Sequence, residues 1–333
     1  MAPAEAWLAI VNPVSGHPRV RHRWRAIEPS LRAIGVPLEV VRTTRPHEGE
    51  VIARQAVRDG RRRLIASGGD GSVNDVLNGL MDAGVDSREV TLAVAPTGTG
   101  NDWARSLGIS RDPGRIAEAI LAGRTMLHDV GVLESAGSPG EAAERTQSPQ
   151  TPARPRWFIN VGGAGLDAYV TARVPRPVPS ALTYLRIALR SLIDYRSPVF
   201  TVDVDGTQFE DRMLLVFAAN ARFCGNRMHV APGAVMDDGL LDVVLVRELG
   251  LLSALPKLVR LYRGRLPGDP AVRYLRGARV RVESVPPAEV QVDGQMAGQT
   301  PAVFSLLRRA LRVVVGPAAH HAGAPDTRRD PPP

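Results

Sequence analysis

The chain has 333 residues, 44% hydrophobic and 23% charged, the profile of a folded globular protein of one large or two ordinary domains. A single cysteine, Cys224, excludes an intramolecular disulfide framework and a structural zinc site. The net charge of +8 is carried almost wholly by scattered arginines, with Lys257 the one lysine and no interleaved aromatics, so a nucleic-acid surface is not expected.

Short apolar runs at 7–11, 38–41, 63–66 and 91–95 read as buried strands, alternating with helical patterns near 20–33, 47–59 and 73–82. In the last of these, Val73, Val76, Leu77, Leu80 and Met81 share one helix face. The alternation predicts an N-terminal α/β domain with a mostly parallel sheet over residues 1–126. From about Leu127 the pattern changes to alternating runs bounded by Gly, Pro and Asp-Gly turns, at 200–205, 213–219, 241–246, 279–283 and 289–293. These predict a mostly antiparallel, β-rich second domain over 127–302, with residues from about 303 to 316 returning to the first sheet.

Two helical stretches interrupt the second domain, 180–195 and, despite Pro256, 249–262. The first places Leu182, Leu185, Leu189, Leu192 and Ile193 on one face flanked by Arg186 and Arg190, a pattern that suits domain packing or membrane contact. Segment 135–155 reads as a mobile loop and 317–333 as a disordered tail. No run approaches the roughly 18 apolar residues of a spanning helix, so a cytoplasmic protein is expected.

Three glycine-bearing loops each follow a predicted strand: Asn12-Pro13-Val14-Ser15-Gly16, Gly68-Gly69-Asp70-Gly71-Ser72-Val73-Asn74 and Pro96-Thr97-Gly98-Thr99-Gly100-Asn101-Asp102. In an open parallel sheet such loops converge in the crevice beyond the strand ends, where ligands bind. Glycines let main-chain N–H groups approach phosphate oxygens, and a helix beginning near Ser72 adds the positive end of its dipole. Asp70 in such a place would face a cation or a water. Each loop alone is equally a tight strand-to-helix turn, with Asn101 or Asp102 as an N-cap; their joint placement favours a phosphate site. Neither a P-loop nor a G-x-G-x-x-G fingerprint is present.

These three motifs resemble those of the diacylglycerol kinase catalytic-domain family, which includes bacterial lipid kinases and sphingosine kinases. The resemblance continues through Phe158-Ile159-Asn160, Gly162, Gly163, Gly165, Asp167-Ala168, Ala231-Pro232, Asp237-Asp238-Gly239-Leu240-Leu241-Asp242 and Val292-Asp293-Gly294. It implies an α/β nucleotide domain and a β-sandwich-like lipid domain, with ATP and a lipid headgroup meeting between them. It also implies nucleotide contacts from Asn12, Pro13 and Gly16, from Thr43 (or Thr44), from Gly68, Gly69, Asp70, Gly71, Ser72, Val73 and Asn74, and from Thr99. A Mg²⁺ on the Asp238 carboxylate and the Val235 and Leu240 carbonyls is implied as well, although Asp237-Asp238-Gly239 is equally a hairpin turn.

One position departs from the family pattern. Gln295 stands where a glutamate usually serves as general base, and an amide cannot take up a proton at neutral pH. Asp70 and Asp293 are the carboxylates left to act in its place, yet Val202-Asp203-Val204-Asp205-Gly206 repeats nearly the same motif in what reads as an ordinary hairpin. The expected activity is ATP-dependent, Mg²⁺-assisted phosphorylation of a diacylglycerol-like or sphingoid-like hydroxyl at the inner membrane face, with oligomeric state open. The alternatives are a catalytically silent nucleotide- or lipid-binding homologue and a soluble-substrate kinase of the NAD-kinase type.

Overall fold

The computed structural model describes residues 5–15, 23–136, 155–175, 181–317 and 319. Gly16, most of the expected 135–155 loop and nearly all of the expected 317–333 tail lie outside the described residues.

Along the first part run β1 (Trp7–Val11), α1 (Trp24–Ala33), β2 (Leu38–Arg42), α2 (Glu48–Arg58), β3 (Arg63–Gly68), α3 (Asp70–Met81), β4 (Thr91–Pro96), α4 (Asp102–Ser106) and α5 (Pro113–Ala122). Strand β1 lies between β2 and β3, β3 pairs with β4, and all three pairings are parallel. Every residue of β1 and nearly all of β3 and β4 are buried, as expected of strands covered on both faces. Helix α3 begins at Asp70, three residues before its apolar stripe. Gly69 caps it in extended conformation, and the Asp70 carboxylate in the first turn lies at the positive end of the helix dipole.

The second part comprises β5 (Thr125–Ala136), β6 (Arg156–Phe158), β7 (Val161–Gly165), α6 (Leu166–Arg173), α7 (Ala181–Asp194), β8 (Val199–Val204), β9 (Thr207–Ala219), β10 (Phe223–Cys224), β11 (Met228–His229), β12 (Leu241–Arg247), α8 (Leu251–Tyr262), β13 (Val272–Gly277), β14 (Arg279–Val285), β15 (Glu289–Val292) and β16 (Gln295–Val314). Pairings among these strands are antiparallel. Their core gathers around Phe158, Phe200 and Phe304, and the rings of Phe158 and Phe304 meet edge to face at 6.1 Å.

The 20-residue β16 joins the strands of both parts into one 14-stranded sheet. Its first stretch pairs with β15 and β14, placing Val303 and Phe304 opposite Arg281 and Val280 in the β-rich layer. The register shifts between Leu307 and Leu311 where it runs against β5, with Arg309 at a φ of 48°. Only beyond that kink do Arg312 and Val313 lie parallel to Thr91 and Leu92 of β4, so the return to the first sheet begins later than residue 303.

Candidate active site

The three glycine loops come together at the carboxyl ends of β1, β3 and β4. Main-chain N–H groups of Thr97 and Gly98 both donate to the Gly68 carbonyl, at 3.0 and 3.1 Å. A Cβ on Gly98 would lie 2.4 Å from the Gly69 Cα, so only glycine lets the second and third loops touch. Asn12 ties in the first loop, its Nδ2 donating to Ser72 Oγ at 3.0 Å and its Oδ1 accepting from Val14 N at 3.1 Å across Pro13. Thr43 flanks Asn12 from the neighbouring strand end, its N–H donating to the Val11 carbonyl at 2.9 Å.

Asp70 sits at this junction. Its Oδ1 accepts from Trp103 N at 3.2 Å, and a Cβ on Gly100 would stand 3.1 Å from Asp70 Oδ2 and 3.6 Å from Asp102 Oδ2. Burial, then the neighbouring Asp102 charge, pushes the Asp70 carboxyl up to about 6. Asp102, foreseen only as an N-cap, spends its carboxylate across the domain boundary. It accepts from the main-chain N–H groups of Asn226 and Arg227 and from Arg105, each at 2.8 Å. The tip of the β10–β11 hairpin is thereby held against the third glycine loop.

Of the remaining residues in the second loop, Val73 and Asn74 turn inward and are buried. Asn74 Nδ2 donates to Asp293 Oδ2 at 2.9 Å and to the Trp157 carbonyl at 3.0 Å. Asp293 accepts as well from the main-chain N–H groups of Ile159, Asn160 and Val161, at 2.9, 2.9 and 3.1 Å. Four donors occupy its lone pairs, leaving none for an acceptor hydroxyl. Asp205 and Asp293 occupy the same left-handed turn position, with φ 49° in both, but Asp205 binds only Ala278 N and Arg279 N on the exposed β8–β9 side.

Gln295, next along the hairpin, is buried and points back at α3. Its Nε2 donates to the Gly71 carbonyl at 3.0 Å and to Asp75 Oδ1 at 3.2 Å, while Arg156 donates to its Oε1 at 3.4 Å. Thr99 is exposed, and its carbonyl accepts from Arg111 at 2.7 Å.

Sequence reasoning gives no role to two buried groups, His128, which it does not single out, and Asp167, named only within a motif. His128 is fully enclosed: its Nε2 accepts from Trp103 Nε1 at 3.2 Å and its Nδ1 contacts the Asp129 carbonyl. Burial pushes it down to about 4. Asp167, pushed up to about 6 by burial, accepts from Gln291 at 2.8 Å through Oδ2 while its buried Oδ1 has no hydrogen-bond partner.

Around Asp238 the donors are oxygens. Oδ1 accepts from Leu240 N at 3.0 Å, Oδ2 pairs with Arg276, and the buried Oδ2 of neighbouring Asp242 makes no hydrogen bond but lies 3.6 Å from the same guanidinium. Gly239, with φ 79°, makes the tight turn between them, and Val235 is half-buried on the same loop. Two carboxylates that share one guanidinium, Asp238 and Asp242, suit a hard divalent cation in its place, provided Arg276 gives way. No group of three or more His, Cys, Asp or Glu among the described residues forms a ready-made cage. No described helix is long and apolar enough to cross a membrane.

Comparison with known proteins agrees with this geometry. Residues 6–133 match the diacylglycerol kinase catalytic domain, and residues 160–315 match the YegS C-terminal NAD kinase beta sandwich-like domain. A diacylglycerol kinase of Bacillus subtilis (strain 168) is 27% identical over 310 residues, 92% of this chain and 95% of that protein. One from Staphylococcus aureus (strain bovine RF122 / ET3-1) is 24% identical over 307 residues, 91% and 90%. A crystal structure of a diacylglycerol kinase from Bacillus anthracis str. Sterne superposes with a TM-score of 0.69 at 21% identity, covering 96% of this chain and all of that one. With both domain models matched in order around one junction of glycine loops, the chain belongs to the diacylglycerol kinase catalytic-domain family and is a phosphotransferase with an alcohol group as acceptor.

Proposed function

We propose that the chain transfers the γ-phosphoryl group of ATP to a hydroxyl of a diacylglycerol-like or sphingoid-like lipid, working as a peripheral protein on the cytoplasmic membrane face. The observation that carries this reading is the backbone contact of the glycine loops beside the Asp70 carboxylate. In this reading residues 1–126 with the end of β16 form the nucleotide unit, and 127–302 form the lipid unit.

The nucleotide lies over Asn12, Pro13 and Gly16, Thr43, the run from Gly68 to Asn74, and Thr99. Main-chain N–H groups and the α3 dipole face its phosphates. The acceptor hydroxyl gives up its proton as its oxygen bonds Pγ, the Pγ–O bond to the β-phosphate breaks, and ADP leaves. Above about pH 6 the Asp70 carboxylate is ionised and able to take that proton or to hold a metal-bound water. Gln295 orients the hydroxyl through the lone pair of Oε1 that Arg156 leaves open, and Asp293, through its four donors, fixes the hairpin that carries Gln295. The Asp238 carboxylate and the Val235 and Leu240 carbonyls would hold a Mg²⁺, which would supply structural charge neutralisation there. Because the Gln295 amide is already committed to Gly71 and Asp75, slow turnover is expected of this chain.

The test is to incubate pure protein with labelled ATP and a total lipid extract and to identify the labelled product. A labelled lipid with wild type, absent with Asp70→Asn, supports the reading; a labelled water-soluble product, or none with any lipid, defeats it.

A further inference from the structure

We infer that Arg23, Arg105, Arg111 and Arg227, gathered around the turn at Thr99 and Gly100, form a binding site for a phosphate group, borne either by the nucleotide's terminal phosphate or by a phosphorylated lipid headgroup. For the nucleotide source this rests on the reading of the glycine loops given above.

The four arginines come from separate segments of the chain, and the charges of three of them act on the fourth, Arg111. Arg111 bridges the Thr99 and Gly100 carbonyls, at 2.7 Å each. Arg105 donates to Asp102 at 2.8 Å, and the Arg227 main-chain N–H donates to the same oxygen at 2.8 Å. Arg23 stands immediately before α1, the helix that packs against α5. Arg111 ionisation is pulled down first by desolvation of its guanidinium and then by the like charges of Arg23, Arg105 and Arg227, with Asp102 opposing. Arg105 and the Arg227 main-chain N–H thus share the Asp102 carboxylate, and Arg111 stands among three like charges.

Such an assembly costs free energy unless an anion joins it, because like charges repel and the part-buried Arg111 guanidinium loses hydration. Two details point to a ligand rather than to solvated surface. Nη1 of Arg23 is buried without a hydrogen-bond partner, a donor left unmet at real cost. Among the described residues neither Arg23 nor Arg227 has a carboxylate on its side chain. Planar guanidinium forks match phosphate oxygens better than any other side chain. The cluster also borders Gly100, whose other neighbour is Asp70, where the transferred phosphoryl would pass.

The side chains of Arg23 and Arg227 make no hydrogen bond within the described protein, so the Arg23→Gln/Arg227→Gln pair leaves the internal bonding intact. Full-length wild type and variant would be titrated with ATP, with inorganic tripolyphosphate, and with phosphatidylcholine vesicles with and without phosphatidate. Melting temperature would be followed in parallel, and Arg23→Gln alone would stand in if the pair unfolds. Loss of a few charge-assisted hydrogen bonds should weaken binding at least about tenfold. A drop for ATP and tripolyphosphate with phosphatidate unchanged assigns the nucleotide. A drop for phosphatidate vesicles alone assigns the lipid. Unchanged affinity for every phosphate probe overturns the site. Wild type that binds tripolyphosphate or phosphatidate but not ATP would sink the nucleotide reading while leaving the arginine site standing.

Discussion

The Gln295 amide, on the hairpin between β15 and β16, donates to the carbonyl of Gly71 in the first turn of α3 at 3.0 Å. It donates to Asp75 as well, so a carboxylate at 295 would face two acceptors with nothing to give. Gln295→Glu is therefore expected to destabilise the fold at pH 8 by about 1–3 kcal/mol. The deficit should shrink toward pH 5, because the neighbouring Asp75 favours the protonated acid, which can donate again. If a base there is useful, turnover per folded molecule at pH 8 should rise at least about tenfold. Melting curves and turnover at both pH values check this, and identical melting at both would mean the amide bonds contribute nothing.

Asp70 gives an activity and a stability signature of opposite sign. Its carboxyl is raised to about 6 in the fold, so kcat/KM should fall as pH drops through about 6. A carboxyl raised in the native state favours folding below its unfolded value and loses that contribution as pH rises through the folded one. Asp70→Asn should consequently be at least as stable as wild type at pH 8 while losing about 10²-fold or more in turnover. A flat acid limb in wild type, or near-normal activity in Asp70→Asn, would argue against the role.

His128 is held as a neutral ring, its Nε2 accepting from Trp103. A proton there would meet the indole N–H. Since its folded value of about 4 lies below the ordinary 6.5, its contribution is complete above about pH 6.5 and is lost as pH falls toward 4. The loss would approach about 3 kcal/mol. Relative to His128→Gln, wild type should lose stability across this window, and imidazole NMR signals should not titrate above about pH 5.

The three bonds at Asp102 predict a local opening. Asp102→Ala frees the N–H groups of Asn226 and Arg227, both in exposed residues that water can solvate. The cost should be about 1–3 kcal/mol. Amide exchange at 226 and 227 should accelerate well before that of β12, and equal protection in both proteins would dismiss the contact as incidental.

For the Asp238 loop, added Mg²⁺ should raise the melting temperature of wild type but not of Asp238→Ala, as binding to the native state alone stabilises it by mass action. Arg276→Ala, which removes the guanidinium now paired with Asp238, should increase the Mg²⁺ response. No response in any of the three proteins leaves only a turn.

Much of the first sheet was legible because β1, β3 and β4 are compact apolar runs, whereas β2, read as buried, is an edge strand with Glu39, Val41 and Arg42 exposed; the glycine loops were legible because few folds put three of them at successive strand ends. Strand β16 was not. Gln295, Gln299, Thr300 and Pro301, and later Arg308 and Arg309, break its apolar pattern, while cross-strand hydrogen bonds to β5, β14 and β15 hold it as one strand. Strand β7, Val161–Gly165, read as a glycine motif. Its glycines serve packing: a Cβ on Gly162 would lie 2.5 Å from the Phe304 ring. The second bond partners of Asp102 and the guanidiniums around Thr99 are set by contacts between distant segments, which no local spacing announces.

Because Arg312 and Val313 complete the pairing of β4, an earlier-made part of the chain depends on a later-made one. As the polypeptide leaves the ribosome, β4 waits with an open edge through the synthesis of the whole β-rich layer, and an unpaired edge strand is a template for wrong partners. A C-terminal truncation before residue 312 should thus harm the nucleotide side of the molecule rather than the side it was cut from. Assembly of the phosphate-facing loops then waits until β16 has been made, more than two hundred residues after β4.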